Sequence, residues 1–286
     1  MHLTPEQIDT YREQGFLAVR NVFTPDEVAE LQRVTDEFVE RSREVTAHTD
    51  VFDLEPGHTA AEPRLRRLKA PHRRHPAYDR ALRNEAVLAV VRQLVGDSVR
   101  FQNTKLNLKS PEFGSPVEWH QDWAFYPHTN DDVLAVGIAV DDMMLENGCL
   151  MVVPGSHQGP VHDHHQDGVF AGAVPADGLT EQAVPIELRA GDVSVHHARL
   201  LHGSAPNRSQ RPRRFLLFEY AAADAWPLVD FPGWEAFNER LLCGEPTVTP
   251  RVEPVPVRIP LPKHAREGSI YEVQSALGRS AFASEM

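Results

Sequence analysis

Val117-Glu118-Trp119-His120-Gln121-Asp122-Trp123 is the stretch on which the reading of this chain turns. On a β-strand the side chains of residues i and i+2 project from one face, so His120 and Asp122 can grip a single ion together. Far along the chain comes Leu201-His202-Gly203-Ser204. A histidine folded in from there completes two imidazoles and one carboxylate on one face of a metal. That facial triad leaves coordination positions open and is the usual cradle of non-haem Fe(II). A His-x-Asp pair alone arises often by chance; the three-part pattern carries the inference.

Working outward, the 286 residues suffice for one large domain or two small ones with a buried core. A hydrophobic content of 41% with 24% charged residues describes a globular chain, not a disordered one. The net charge of -12 argues against a general nucleic-acid binder, which needs a basic face to displace counterions. It leaves room for a local basic pocket and an anionic small molecule. Cys149 and Cys243 are far apart and form no Cys-x-x-Cys, so no disulfide framework, zinc ribbon or iron–sulfur cluster is expected. A reducing cytoplasm fits that usage. The opening Met1-His2-Leu3-Thr4-Pro5-Glu6 has no apolar signal core, and no stretch reads as a membrane span.

Residues 1–97 read as mainly helical. Thr4-Pro5-Glu6-Gln7 and Thr24-Pro25-Asp26-Glu27 each combine a capping threonine, a proline at the first helical position and a reciprocal Gln or Glu. Val28, Leu31, Val34 and Phe38 then recur at helical spacing, and a third helix is expected over 78–94. A short strand, 15–19, separates the first two helices. From residue 98 the texture changes to short apolar or alternating runs punctuated by Gly, Pro, Asn and Asp. Strands are expected over 99–108, 117–122, 134–141, 149–153, 183–187, 192–196 and 214–220. Helices followed by many short strands indicate a mainly β fold with flanking helices: a double-stranded β-helix, or cupin-like jelly roll, over 98–222. Residues 157–182 form an excursion over one mouth of the barrel, and 223–286 a C-terminal wrap with a mobile end, all within one domain of 1–286.

These motifs resemble the phytanoyl-CoA dioxygenase family of Fe(II)/2-oxoglutarate oxygenases. Trp119-His120-Gln121-Asp122 is followed by Leu145-Glu146-Asn147-Gly148-Cys149-Leu150, Pro154-Gly155-Ser156-His157, Gly191-Asp192-Val193 and Leu201-His202-Gly203-Ser204, then Asn207 and Arg213. Such an order and spacing, over roughly residues 5–222, is specific for the family and nearly silent about substrate. The resemblance implies iron held by His120, Asp122 and His202 at one end of the barrel. It implies 2-oxoglutarate and dioxygen as co-substrates, with Arg213 and Ser204 holding the distal carboxylate of the keto acid. Lys105 and Asn107 stand where relatives often contact the co-substrate. The activity implied is hydroxylation of an unactivated C–H bond of a small molecule with release of succinate and CO2. Asp122 favours hydroxylation, because related halogenases carry a small residue in its place.

Residue chemistry keeps alternatives open beside this. Arg213 offers a planar fork suited to a carboxylate, and otherwise is one exposed arginine among several; Arg214 should face the other way. The strand face of Asn103, Lys105, Asn107 and Lys109 is either solvated or lines the pocket, with Asn103 a substrate contact. Trp123, Phe125 and Tyr126 either wall the substrate cleft or belong to the core. His162, His164 and His165 near Asp163 and Asp167 form a second metal site or, more plainly, solvated histidines on a lid. One of His196 and His197 packs inside the barrel and is easily mistaken for the ligand. The basic run Arg64-Leu65-Arg66-Arg67 is a solvated face or grips an anionic substrate. Two other functions survive on the same barrel: a non-catalytic metal-binding or sensing module, and a cupin-like metallohydrolase or isomerase. The oligomeric state is open.

Overall fold

The computed structural model describes residues 1–112, 114–175, 178–263, 268–278 and 280–282. Helix α1 (Pro5–Gln14) and helix α2 (Pro25–Arg41) begin where the threonines place them, each closed by a reciprocal capping box worth about 1 kcal/mol. Between them runs β1 (Phe16–Val19). The helix expected over 78–94 is two, α3 (Pro76–Leu82) and α4 (Glu85–Val95). Asn84 divides them, because its Oδ1 accepts from the backbone N–H of Ala86 and Val87 and starts a new helix.

The remaining strands are β2 (Phe52–Leu54), β3 (Leu65–Lys69), β4 (Val99–Lys109), β5 (Val117–His120), β6 (Val133–Ala139) and β7 (Leu150–Val152). A small hairpin of β8 (His165–Gln166) and β9 (Val169–Phe170) precedes β10 (Val184–Ile186), β11 (Val193–His197), β12 (His202–Ser204), β13 (Arg213–Ala222) and β14 (Leu241–Cys243). Two antiparallel sheets form the jelly roll. The larger has the order β1-β11-β6-β13-β4-β3-β2, with β14 also on β4; the smaller is β10-β7-β12-β5. The region read as helical therefore supplies three strands to the large sheet. One of them, β3, carries the basic run expected to be a solvated face: Arg66 and Arg67 are buried.

Outside the large sheet, α2 buries Val28, Leu31, Val34 and Phe38. Arg214 clamps it there, donating from two guanidinium nitrogens to both oxygens of Asp141 and from Nη1 to Asp36 Oδ1 at 2.7 Å. Three short helices follow later, α5 (Leu179–Gln182), α6 (Trp234–Asn238) and α7 (Ile270–Gln274). Helix α7 returns to the small sheet, where the Gln274 amide accepts from Glu118 N at 3.0 Å and donates to Gly172 O at 2.9 Å. Of the end expected to be mobile, Phe282 stacks on Trp119 with ring centroids 5.7 Å apart, and residues 283–286 lie outside the described ones. Among the described residues no helix is long and apolar enough to cross a membrane.

Packing inside the barrel is tightest where β6 passes β13. A Cβ added to Gly137 would stand 2.0 Å from the Phe215 ring. Gly137→Ala should therefore destabilise the protein by about 1–3 kcal/mol, the usual cost of overpacking. A urea midpoint equal to that of the parent would contradict this packing.

Candidate metal centre

Strands β5 and β12 are neighbours in the small sheet, and their register sets His120 directly opposite His202. The two rings lie 4.1 Å apart between centroids. Each strand orients its own imidazole: Nδ1 of His120 is 2.8 Å from Glu118 O, and Nδ1 of His202 is 2.8 Å from Leu200 O. A carbonyl only accepts, so each Nδ1 carries the proton and each Nε2 is left with a lone pair for a metal.

Strand β5 stops at His120, two residues short of the expected end, and Asp122 opens a 3-10 turn over Asp122–Ala124. The same-face relation survives because Gln121 keeps an extended backbone (φ −115°, ψ 125°). Asp122 Oδ1 lies 3.7 Å from His120 Nε2, and Oδ2 lies 3.8 Å from His202 Nε2. One ligand atom from each of the three residues lies within 4.8 Å of the others, the sole such group among the described residues. Two neutral imidazoles and a carboxylate suit a ferrous ion.

Electrostatics keeps His202 and Asp122 in their ligating forms. Burial, reinforced by His120, pushes His202 well below the usual imidazole value. Burial by itself would raise the Asp122 carboxyl. The Lys105 ammonium and the imidazoles of His202, His120 and His196 around it outweigh burial and hold Asp122 well below the usual carboxylate range.

The triad opens into a cavity between the sheets, with Arg213, Asn107, Ser204 and Arg67 on its walls. Arg213 is 2% exposed, yet its Nε and Nη1 have no partner. A buried guanidinium with unpaired N–H groups is costly, and its fork matches a carboxylate. Arg214, next in sequence, points to the opposite face, as strand alternation requires. Asn107 is buried and accepts from Arg67 Nε at 2.8 Å.

Lys105 sits beside the triad. Its Nζ donates to Glu219 Oε1 at 2.6 Å and stands 3.8 Å from Asp122 Oδ1. The outer aromatic and polar candidates divide. Phe125 meets His120 edge-on at 5.9 Å and so stands against the metal site. Trp123 is fully buried in the main core, with its indole N–H donating to Pro256 O at 2.8 Å. Asn103 is exposed, its Oδ1 turned back to Thr104 N. Neither of these two lines the cavity.

Within the 157–182 excursion, the Pro160–His164 segment is pinned near the triad. Gln121 faces away from the metal site and bonds Pro160 O, Arg199 O and His162 N. Burial pushes His164 down to about 3, and its Nε2 accepts from Gln121 N at 2.9 Å. His165 pairs with Asp163, and among the described residues the cluster does not bring three ligand atoms together. Ala176 and Asp177 lie outside the described residues.

Three cavity-side groups escaped the sequence as assigned site residues. Arg67 was weighed only within a basic run read as a solvated face or a grip on an anionic substrate, because nothing local in the sequence reports that β3 is covered on both faces. His196 was weighed only as a packed neighbour of the ligand. Glu219 gave no signal except its alternation with Leu217 and Phe215 along β13.

The phytanoyl-CoA dioxygenase family (PhyH) matches residues 11–215. A probable alpha-ketoglutarate-dependent hypophosphite dioxygenase of Stutzerimonas stutzeri is 37% identical over 284 residues, covering 97% of this chain and 99% of its own. L-proline trans-4-hydroxylase of Streptomyces griseoviridis is 29% identical over 234 residues, covering 73% and 83%. Among solved structures, EctD from S. alaskensis with bound Fe superposes with a TM-score of 0.68 at 25% identity, covering 89% of this chain and 88% of that one. With the fold, the donor set and these relatives in agreement, the chain belongs to the phytanoyl-CoA dioxygenase family and is an Fe(II)- and 2-oxoglutarate-dependent dioxygenase.

Proposed function

We propose that His120, Asp122 and His202 hold the iron and that Arg213, with Ser204 nearby, receives the distal carboxylate of 2-oxoglutarate. The observation that carries this is a ready ligand triad sharing one cavity with a buried, unpartnered guanidinium. A non-catalytic metal-binding module or a metallohydrolase has no use for that second feature. The chain acts as one oxygenase domain, and two unpaired cysteines suit a reducing cytoplasm.

The substrate we propose is a small phosphorus oxyanion, hypophosphite, which is what the name of the 37% identical relative states for that protein. The side chains in and beside the cavity favour an anion. Arg67, Lys105 and Arg213 outnumber the Asp122 and Glu219 carboxylates beside them. A ferrous ion and a doubly charged keto acid cancel, which leaves one positive charge for the substrate to neutralise. Iron held by His120, Asp122 and His202 would supply, with 2-oxoglutarate and dioxygen as co-substrates, an oxidising equivalent of one oxygen atom. That atom enters a P–H bond to give P–OH, so hypophosphite becomes phosphite. The other oxygen atom of O2 ends in succinate, and C1 of 2-oxoglutarate leaves as CO2. Phosphorus and the keto acid each lose two electrons, and O2 takes up four.

The chain's own groups bind and orient. Lys105 stays charged because Glu219 and Asp122 outweigh its burial. Burial, then the charges of Asp122 and Glu219, raise the Tyr126 phenol well above its usual value, so it remains a donor beside both carboxylates. A second reading, C–H hydroxylation of a small amino-acid-like molecule, draws on the proline hydroxylase and on the ectoine dioxygenase of Streptomyces coelicolor, 27% identical.

Incubation of the iron-loaded protein with 2-oxoglutarate, air and hypophosphite should yield phosphite by 31P NMR, with succinate in equal amount. Turnover of proline or ectoine with none of hypophosphite would replace the first reading by the second. His120→Ala and His202→Ala should each abolish stoichiometric Fe(II) binding in equilibrium dialysis; retained tight binding would refute the ligand assignment. Arg213→Met should stabilise the ligand-free protein by about 1–3 kcal/mol by removing an unpaired buried charge. The same variant should lose the thermal upshift that 2-oxoglutarate gives the parent, and an unaltered upshift would remove Arg213 from that role.

A further inference from the structure

His196 is the one buried histidine, among the described residues, whose two ring nitrogens both lack a partner. The other buried imidazoles each hold at least one hydrogen bond, at His120, His128, His157, His164 and His202. An unpartnered buried imidazole is costly, so its retention calls for a ligand that the protein alone does not provide. The residue is 1% exposed, lies on β11 and lines the cavity. Its ring is 4.6 Å from that of His202, and its Nε2 is 3.6 Å from Asp122 Oδ2, too far for a hydrogen bond. It stands outside the set of ligand atoms that can share one metal ion.

The surroundings say what kind of ligand. Lys105 flanks Asp122 on the Oδ1 side at 3.8 Å, while His196 flanks it on the Oδ2 side at 3.6 Å. Two nitrogen donors thus bracket the carboxylate of the triad from opposite sides. Lysine carries three N–H donors, and Glu219 takes one. Facing His196 across the sheet is Ala135, a small residue that leaves space beside the imidazole, whereas the Phe215 ring covers Gly137 two positions on. An apolar C–H substrate would gain nothing from a bare imidazole here. A tetrahedral oxyanion offers acceptors on several sides and matches donors arranged around one point.

We propose that His196 is a substrate-contacting, specificity-determining residue that donates a hydrogen bond to an oxyanion held between it and Lys105 beside the metal. This rests on the oxyanion-substrate reading given above. His196 thereby separates oxyanion substrates from neutral ones: an oxyanion satisfies the imidazole, whereas an aliphatic group leaves it buried and unpaired.

The test is an anaerobic titration of hypophosphite into the Fe(II)–2-oxoglutarate complex, read as the perturbation of its visible absorption band, with turnover measured in parallel. Wild type, His196→Ala and His196→Gln are compared; the glutamine keeps a donor and covers the case in which alanine impairs folding. His196→Ala should raise both the dissociation constant and KM for hypophosphite about tenfold or more, the worth of one charge-assisted hydrogen bond. Iron content and 2-oxoglutarate affinity should stay within about twofold, and His196→Gln should recover most of the loss. Unchanged hypophosphite affinity in His196→Ala, in a wild type that binds and oxidises hypophosphite, overturns this inference alone. A wild type that neither binds nor oxidises hypophosphite overturns the substrate reading and this inference with it. An equal loss of 2-oxoglutarate affinity in His196→Ala also overturns it, because the residue then serves the co-substrate.

Discussion

The antiparallel register of β5 on β12 is the constraint on which the rest of this site depends. It puts His120 and His202 on facing positions, and a shift of one residue would turn one imidazole out of the barrel. Each ring is then held by a hydrogen bond to the carbonyl two residues before it in its own strand, so the ligating nitrogen is selected before any metal arrives. Asp122 joins because the extended conformation continues through Gln121 beyond the end of the strand. Gln121 in turn ties the loop from Pro160 to His164 against the back of the same segment. One seven-residue stretch thus presents two candidate ligands inward and anchors the barrel mouth outward.

Charge is distributed so that the protein's own groups leave the cavity electrostatically unfinished. Arg213 keeps two unpaired nitrogens, Arg67 keeps one, and His196 keeps both of its own. Elsewhere Arg66 pairs with Asp53 at 2.7 Å, Arg214 with Asp141 and Asp36, and Lys109 with the carbonyls of Ser204 and Ala205, although Arg66, Arg100 and Arg199 each also keep one unpartnered nitrogen. Arg213 stands apart in leaving two of its nitrogens unpartnered in the cavity that holds the triad. Such groups cost stability in the free protein and return it on binding, which is the usual arrangement of a preorganised site.

Much of this was legible in the chain. Thr4 and Thr24 announced the first helices through local chemistry, and the alternation from residue 98 onward announced the sheets. The triad was legible because its residues are chemically distinctive and two of them are adjacent on a face. What escaped depends on long-range pairing. Asn84 was not read as a cap inside an apolar helical pattern. The run with Arg66 and Arg67 was readable as a solvated face or as a grip on an anionic substrate, because burial of β3 comes from its docking on β4, which no local pattern encodes. Trp123 and Phe125 were equivalent candidates by sequence; the 3-10 turn after β5 sends the first into the core and the second against His120. Asn103 shares alternation with Lys105, but it ends exposed near the register shift in β13 at Glu219/Tyr220.

The central claim is that one cavity joins the His120–Asp122–His202 face to a keto-acid anchor at Arg213. The most direct measurement is a titration of 2-oxoglutarate into the anaerobic Fe(II)-loaded protein, following the weak visible charge-transfer band of a chelated keto acid, with Arg213→Ala alongside. The account predicts a saturable band in the parent and a far higher 2-oxoglutarate requirement in the variant, with iron binding retained in both. A parent that holds iron and shows no band, or a variant with the parent's 2-oxoglutarate affinity, would contradict it.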